Sequence, residues 1–168
     1  GDSRQMLESA QIGCNDMALM IANLLDVERM ESNRLKLRFA PVDSVSVARR
    51  VEERLRPVAA LRGIRVEVLA AGSVPAMPLD GSLFERVAQN LLSNAIEHSP
   101  DGERVTLELR FEPRPPGLAM RVEDRGPGVP PGEREAIFDP APQRRTRAGA
   151  GSGLALAFCK LALDAHHG

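Results

Sequence analysis

At 168 residues the chain is long enough for one domain with its own core and an appendage, and 43% hydrophobic with 27% charged residues excludes a disordered or membrane-embedded class. A formal net charge of −1 without a long basic block gives no footing for nucleic acid. The two cysteines, Cys14 and Cys159, lack metal-type spacing and read as reduced, partly buried thiols of a cytosolic protein; no run of 18 apolar residues and no signal-peptide pattern occurs.

The chain opens inside a helical pattern, which predicts a piece of a larger protein. Leu7, Ala10, Cys14, Met17, Ile21 and Leu24 recur in steps of three and four, a coiled-coil seam, and Met20, Leu25 and Val27 widen it toward a bundle. A surface helix lying on its own domain is the alternative. "LKLRF" (35–39) alternates as a short strand. An amphipathic helix follows over 41–63, capped by Asp43 or Ser44, closed near Gly63, and carrying Pro57 as a possible kink. "IRVEVLA" (64–70) reads as a strand and the Gly/Pro-rich 72–78 as a loop. Asp80 or Ser82 caps the next helix, about 80–98. "RVTLELRFE" and "LAMRVED" alternate as two strands joined through "PRPPG", a hairpin. A Gly-, Pro- and Arg-rich stretch runs from Asp124 to Gly151, and a last helix spans roughly 153–165. This order predicts an α+β sandwich with helices on one face of a mixed sheet.

Three stretches carry chemistry. Asn90, Asn94 and His98 fall at i, i+4 and i+8 on one helical face. Two amides on a buried-looking face cost stability unless they find partners. "EDRGPGVP" (123–130) ends a strand in Asp124 and turns through Gly126 and Gly128; a carboxylate there can accept a hydrogen bond from an exocyclic amine. "GAGSGLAL" (149–156) opens a helix with glycines that leave backbone N–H groups open to phosphate. An amide oxygen suits Mg²⁺, which often bridges protein to nucleotide phosphates.

In that order the motifs resemble the catalytic ATP-binding domain of bacterial sensor histidine kinases, in the superfamily shared with gyrase, the Hsp90 chaperones and the MutL repair proteins. "NLLSNAIEHSP" resembles the N box, "DRGPGVP" the first glycine box, "IFDP" (137–140) the F box and "GSGLALAF" (151–158) the second glycine box. "LLDVERMESNRLKLRFAPVD" (24–43) is similar to the junction that follows the second helix of the dimerisation domain. The resemblance therefore implies a two-layer α/β sandwich of the Bergerat type over 35–168. Residues 1–34 would belong to the dimerisation and phosphoacceptor domain.

The resemblance also implies roles. Asn94 gives a side-chain oxygen to Mg²⁺ at the triphosphate of ATP, with Asn90 one turn earlier beside it. Hydrolytic relatives usually carry glutamate at the position of Asn90, and an amide is no general base at neutral pH. Asp124 reads the adenine amino group, with Gly126, Gly128 and Val129 lining the base. Gly149, Gly151, Ser152, Gly153 and Leu154 start the final helix against the phosphates. Residues 139–150 form an ATP lid whose Arg144, Arg145 or Arg147 reaches the γ-phosphate. Glu97 and His98 lie near the phosphates, although Glu97 replaces a frequent lysine and so removes one contact.

The implied activity is transfer of the γ-phosphoryl group to a histidine on a dimerisation helix outside this chain. The implied partners are that helix, a response regulator receiver domain and, in the parent, a second copy joined through the N-terminal helix. The implied setting is the cytoplasm, including the cytoplasmic part of a membrane-attached sensor. Ala155 in place of a glycine, Ala141 in place of the second F-box phenylalanine, and a short lid depart from the pattern. They leave a degenerate interaction module, or a hydrolytic ATPase of the superfamily, as alternatives. His98, His166 and His167 lack the setting of a phosphoacceptor; His166 and His167 read as helix-end residues whose cationic form would suit the dipole.

Overall fold

The computed structural model describes residues 13, 17–18, 21–25, 27–28, 36–139 and 154–168. The N-terminal helix, α1, is helical at its described residues from 13 to 28. Then come β1 (Phe39–Val42), α2 (Ser44–Leu61), β2 (Arg65–Ala71), β3 (Met77–Asp80), α3 (Gly81–His98), β4 (Arg104–Pro113), β5 (Pro116–Glu123), 3-10 turns at Pro131–Glu133 and Ala136–Phe138, and α4 (Leu154–Ala165).

Among the described residues the strands form two sheets. β2 runs parallel to β4, and β4 antiparallel to β5, giving a mixed three-stranded sheet in the order β2-β4-β5. β1 and β3 make a separate antiparallel ribbon. This corrects two expectations. The first strand lies at Phe39–Val42 rather than 35–39, and a strand occupies the end of the stretch read as a loop. Pro41 sits opposite Pro78 in that ribbon. Both strands of a two-stranded ribbon are edges, so proline is tolerated there and hides the strand from a propensity reading.

Alternation in the three-stranded sheet fixes its inner face. Val105, Leu107 and Leu109 of β4 are fully buried, flanked by Val66 and Val68 of β2 and by Leu118, Met120 and Val122 of β5. The outer face carries Glu67, Thr106, Glu108, Arg121 and Glu123. α2 contributes Val47, Ala48, Val51 and Ala59 to the main core, and α3 contributes Phe84, Ala88, Leu92, Ala95 and Ile96. Another side of α3, Leu83 and Val87, packs with Phe158, Cys159 and Ala162 of α4 and with Val27 of α1 in a second cluster. α3 is thus apolar on two sides, the signature of a central helix. Helix α2 continues to Leu61 with Pro57 inside it.

Both long helices are closed by side chains. Asp43 caps α2 by accepting from the Ser46 N–H at 3.0 Å. Asp80 caps α3, accepting from Ser82 N at 3.1 Å, Leu83 N at 3.2 Å and Ser82 Oγ at 2.7 Å, and also from Arg38 N at 2.9 Å. At the other end of α3, Arg62 donates to the carbonyls of Ile96 (2.6 Å), Glu97 (3.0 Å) and Ser99 (2.7 Å) and to the Asp101 carboxylate (2.8 Å). A fixed positive charge on the last carbonyls complements the helix dipole. Burial pushes the Asp80 carboxyl up, but its hydrogen bonds from Arg38, Ser82 and Leu83 outweigh that and hold it below the ordinary value of 3.8. A depressed folded value means that the stabilisation is complete above the unfolded value and is lost as pH falls through the folded one. Asn is also a good cap. Asp80→Asn should therefore unfold with a shallower acid dependence below about pH 4 and melt at a lower temperature at pH 7, since one amide oxygen replaces the two carboxylate oxygens that accept from Arg38 N and from Ser82 and Leu83. Acid titration followed by circular dichroism checks this, and an unchanged acid limb would count against it.

His166 joins the end of α4 to the start of α3. Its Nε2 accepts from the Asp80 backbone N–H at 3.0 Å and its Nδ1 lies 2.7 Å from the Ala162 carbonyl, with the Phe39 ring edge-on at 5.4 Å. A backbone N–H can only donate and a carbonyl can only accept, so the ring is the neutral Nδ1–H tautomer. The expected cationic helix-end imidazole is corrected for His166.

Candidate nucleotide-binding site

α3 presents the N-box side chains along its second half. Asn94 is half-buried, His98 is half-buried in the last turn, and Glu97 is exposed. Asn90 differs: it is 2% exposed. Its Oδ1 accepts from Asn23 Nδ2 of α1 at 3.1 Å, and its Nδ2 lies 3.4 Å from Asn23 Oδ1 and 3.5 Å from the Ala155 carbonyl of α4. The two amides on one helix face therefore have different fates. Asn94 is half-buried, whereas Asn90 is buried and hydrogen-bonded to protein partners.

The first glycine box closes on the end of the same helix. Asp124 follows β5 and its Oδ1 accepts from the Gly126 N–H at 2.7 Å. A Cβ on Gly126 would lie 2.7 Å from the His98 carbonyl oxygen and 2.8 Å from Asp124 Oδ1. Only glycine permits that approach, and it brings the exposed Asp124 carboxylate against the C-terminal turn of α3. Gly128 has φ +72° and open space around its Cβ position, so it serves the turn rather than a close contact. Val129 is 37% exposed beside it.

Leu154 and Ala155 are half-buried at the start of α4. Gly149, Gly151, Ser152 and Gly153, the lid arginines Arg144, Arg145 and Arg147, and Ala141 and Cys14 lie outside the described residues. Behind α4, Phe158 is fully buried with the Arg86 guanidinium 4.2 Å above its ring. Burial pushes the Cys159 thiol up to about 12, although a hydrogen bond with Asn90 and the Arg86 charge act in the opposite direction. It is an inert, protonated thiol.

Sequence reasoning did not find Asn23, Arg62 or Arg86. Asn23 falls off the heptad seam and Arg86 reads as an ordinary helix-surface charge. Neither carries a motif, and only the tertiary docking of α1 joins them to Asn90.

A profile of the histidine kinase-, DNA gyrase B- and HSP90-like ATPases matches residues 79–168. The chain belongs to that family. It is similar to the alginate biosynthesis sensor protein KinB of Pseudomonas aeruginosa, 32% identical over 152 residues, covering 90% of this chain and 25% of that protein. It is also similar to the sensor protein KdpD of Escherichia coli, 32% identical over 169 residues, covering 99% of this chain and 18% of that protein. Among solved structures, full-length ShkA in complex with AMPPNP superposes with a TM-score of 0.77 at 25% identity, covering 98% of this chain and 34% of that one. The mycobacterial sensor histidine kinase MprB superposes with a TM-score of 0.64 at 34% identity, covering 77% of this chain and 81% of that one. This chain thus spans a quarter or less of either curated relative. It is a catalytic ATP-binding domain of the sensor histidine kinase type, with the mixed α/β architecture of those structures. Among the described residues no helix is long and apolar enough to cross a membrane.

Proposed function

We propose that this domain holds Mg²⁺–ATP between α3 and the entrance to α4 and donates the γ-phosphoryl group to a histidine on a dimerisation helix outside this chain. The observation that carries the base pocket is the contact of Gly126 with the His98 carbonyl. It sets the Asp124 carboxylate at the end of the helix that also bears Asn94. In this reading Asp124 accepts from the adenine amino group, with Gly126, Gly128 and Val129 beside the base. Asn94 gives its amide oxygen to Mg²⁺. Among the described residues no group of three His, Cys, Asp or Glu side chains could hold a metal. A Mg²⁺ here would therefore rest on Asn94 and the nucleotide's own phosphates, as that ion commonly does. Bound Mg²⁺ would neutralise charge on the phosphates. The reading leaves His98, the glycines at 149–153 and Arg144 or Arg145 around the phosphates, and leaves Glu97 as a missing contact.

Residues 1–34 are assigned to the second helix of the dimerisation domain and 35–168 to the catalytic domain. Met17, Ile21, Leu24 and Leu25 are between 47% and 61% exposed on α1, an apolar seam fit for a second copy of the chain. The receiver domain of a response regulator would take the phosphoryl group onward. Catalysis would be placement and charge neutralisation: the histidine nitrogen forms its bond to the γ-phosphorus as the bond to the ADP oxygen breaks. Asn90 cannot serve as a base for water, which favours transfer over hydrolysis.

The test uses radiolabelled ATP. The domain alone should release little phosphate and take up no label, and label should appear on a separately supplied acceptor domain of the parent. Rapid multiple-turnover hydrolysis by the domain alone would overturn the reading. Nucleotide at a hundred times its Kd should stabilise the fold by about 2.7 kcal/mol.

A further inference from the structure

The amide at Asn90 belongs to a chain of hydrogen bonds whose direction is fixed at both ends. Arg86 Nη2 donates to Asn23 Oδ1 at 2.7 Å. A guanidinium can only donate, so the oxygen of Asn23 must face Arg86 and its Nδ2 is left for Asn90 Oδ1, at 3.1 Å. Asn90 Nδ2 then faces two acceptors, Asn23 Oδ1 at 3.4 Å and the Ala155 carbonyl, which can only accept, at 3.5 Å. Asn23 and Asn90 are each 2% exposed. Buried amides held from both ends have one orientation open to them, because the reverse places oxygen against oxygen.

We infer that Asn23 is a positioning residue for nucleotide binding: from α1 it sets the orientation of Asn90, and through Asn90 the seat of the first turn of α4. This rests on the assignment of phosphates to the entrance of α4 given above. α1 is then part of the nucleotide site's support, and the part of the affinity that comes from the phosphates depends on its docking. The adenine end, built by Asp124 and Gly126 beyond the far end of α3, is independent of it.

Asn23→Asp separates this role from a structural one. The carboxylate keeps the oxygen that faces Arg86 and adds charge to that contact, so α1 stays tied down. It cannot donate to Asn90 Oδ1: either a carboxylate oxygen opposes that oxygen, or Asn90 turns over and presents its oxygen to the Ala155 carbonyl, and both displace the amide that meets the first turn of α4. The expected result is a melting temperature close to the parent's, unchanged adenosine affinity, and a ratio of Mg²⁺–ATP to adenosine affinity lowered about tenfold. Asn23→Ala should lower the ratio similarly while also lowering the melting temperature. Calorimetric titration of the 168-residue chain with Mg²⁺–ATP and with adenosine gives both numbers. A ratio for Asn23→Asp within about twofold of the parent's overturns the inference. A parent that shows no preference for Mg²⁺–ATP over adenosine instead overturns the phosphate assignment on which it rests.

Discussion

Asn94→Ala is expected to remove most of the Mg²⁺-dependent share of ATP affinity, a loss of between about tenfold and a hundredfold, or ~1.4 to 2.7 kcal/mol. Its side chain is half-buried one turn beyond Asn90 and is the N-box amide still accessible from outside. Truncation to alanine deletes the oxygen without disturbing the helix, since alanine is the best helix former. Adenosine affinity should be unchanged, because the base pocket proposed at Asp124 and Gly126 does not use the metal. Asn94→Asp keeps an oxygen but adds negative charge next to the triphosphate, so it should make affinity more dependent on Mg²⁺ concentration. Titrations with and without Mg²⁺ separate these cases. An alanine variant with full metal-dependent affinity would move the metal away from Asn94.

Gly126→Ala should act on the base rather than on the metal, and with comparable size. The added Cβ would meet the His98 carbonyl at 2.7 Å and the Asp124 carboxylate at 2.8 Å. His98 closes α3, and the neighbouring carbonyls of Ile96, Glu97 and Ser99 are held by Arg62, so the helix end cannot retreat. The loop must move instead, taking Asp124 off the Gly126 N–H. Adenosine and ATP affinities should fall together, about tenfold or more, whereas Asp124→Asn should lose only the charge-assisted part of the contact. Gly128→Ala is the control. With φ +72° and no neighbour within 4 Å, it should cost about 1 kcal/mol in stability from backbone strain but leave the base contact in place. Equal losses of adenosine affinity in both glycine variants would mean that loop conformation, not the close approach, governs the pocket.

The long periodic elements were legible in the sequence because their patterns are local. The cap at Asp80, the alternation of β4 and β5 and the apolar sides of α3 need only neighbouring residues to be read. The ribbon was not legible: Phe39–Val42 and Met77–Asp80 are four residues each, both contain proline, and they pair across 34 residues or more of intervening chain. Asp124, Gly126 and Asn94 carry ordered motifs, and the structure gives Gly126 a steric reason that the motif alone does not. The surroundings of Asn90 were not legible. Its sequence position groups it with Asn94, yet its surroundings come from α1 and α4, which no reading of α3 can supply. Of the two sequence accounts of α1, the helix lying on its own domain is the one its contacts describe, and they leave the seam residues uncovered. Val27 and Asn23 face the domain while Met17, Ile21 and Leu24 stay exposed.

The link from His166 to Asp80 also bears on how the chain is made. The N–H at the cap of α3 finds its acceptor 86 residues downstream. A ribosome adding about 5 to 20 residues per second would hold the nascent sandwich for several seconds before that imidazole emerges. Through that interval the ribbon and the first turn of α3 stand without the peg that later fastens them to α4. A residue translated long after α3 therefore secures the entrance to the central helix, and vectorial synthesis leaves that entrance unfastened until α4 has followed it out.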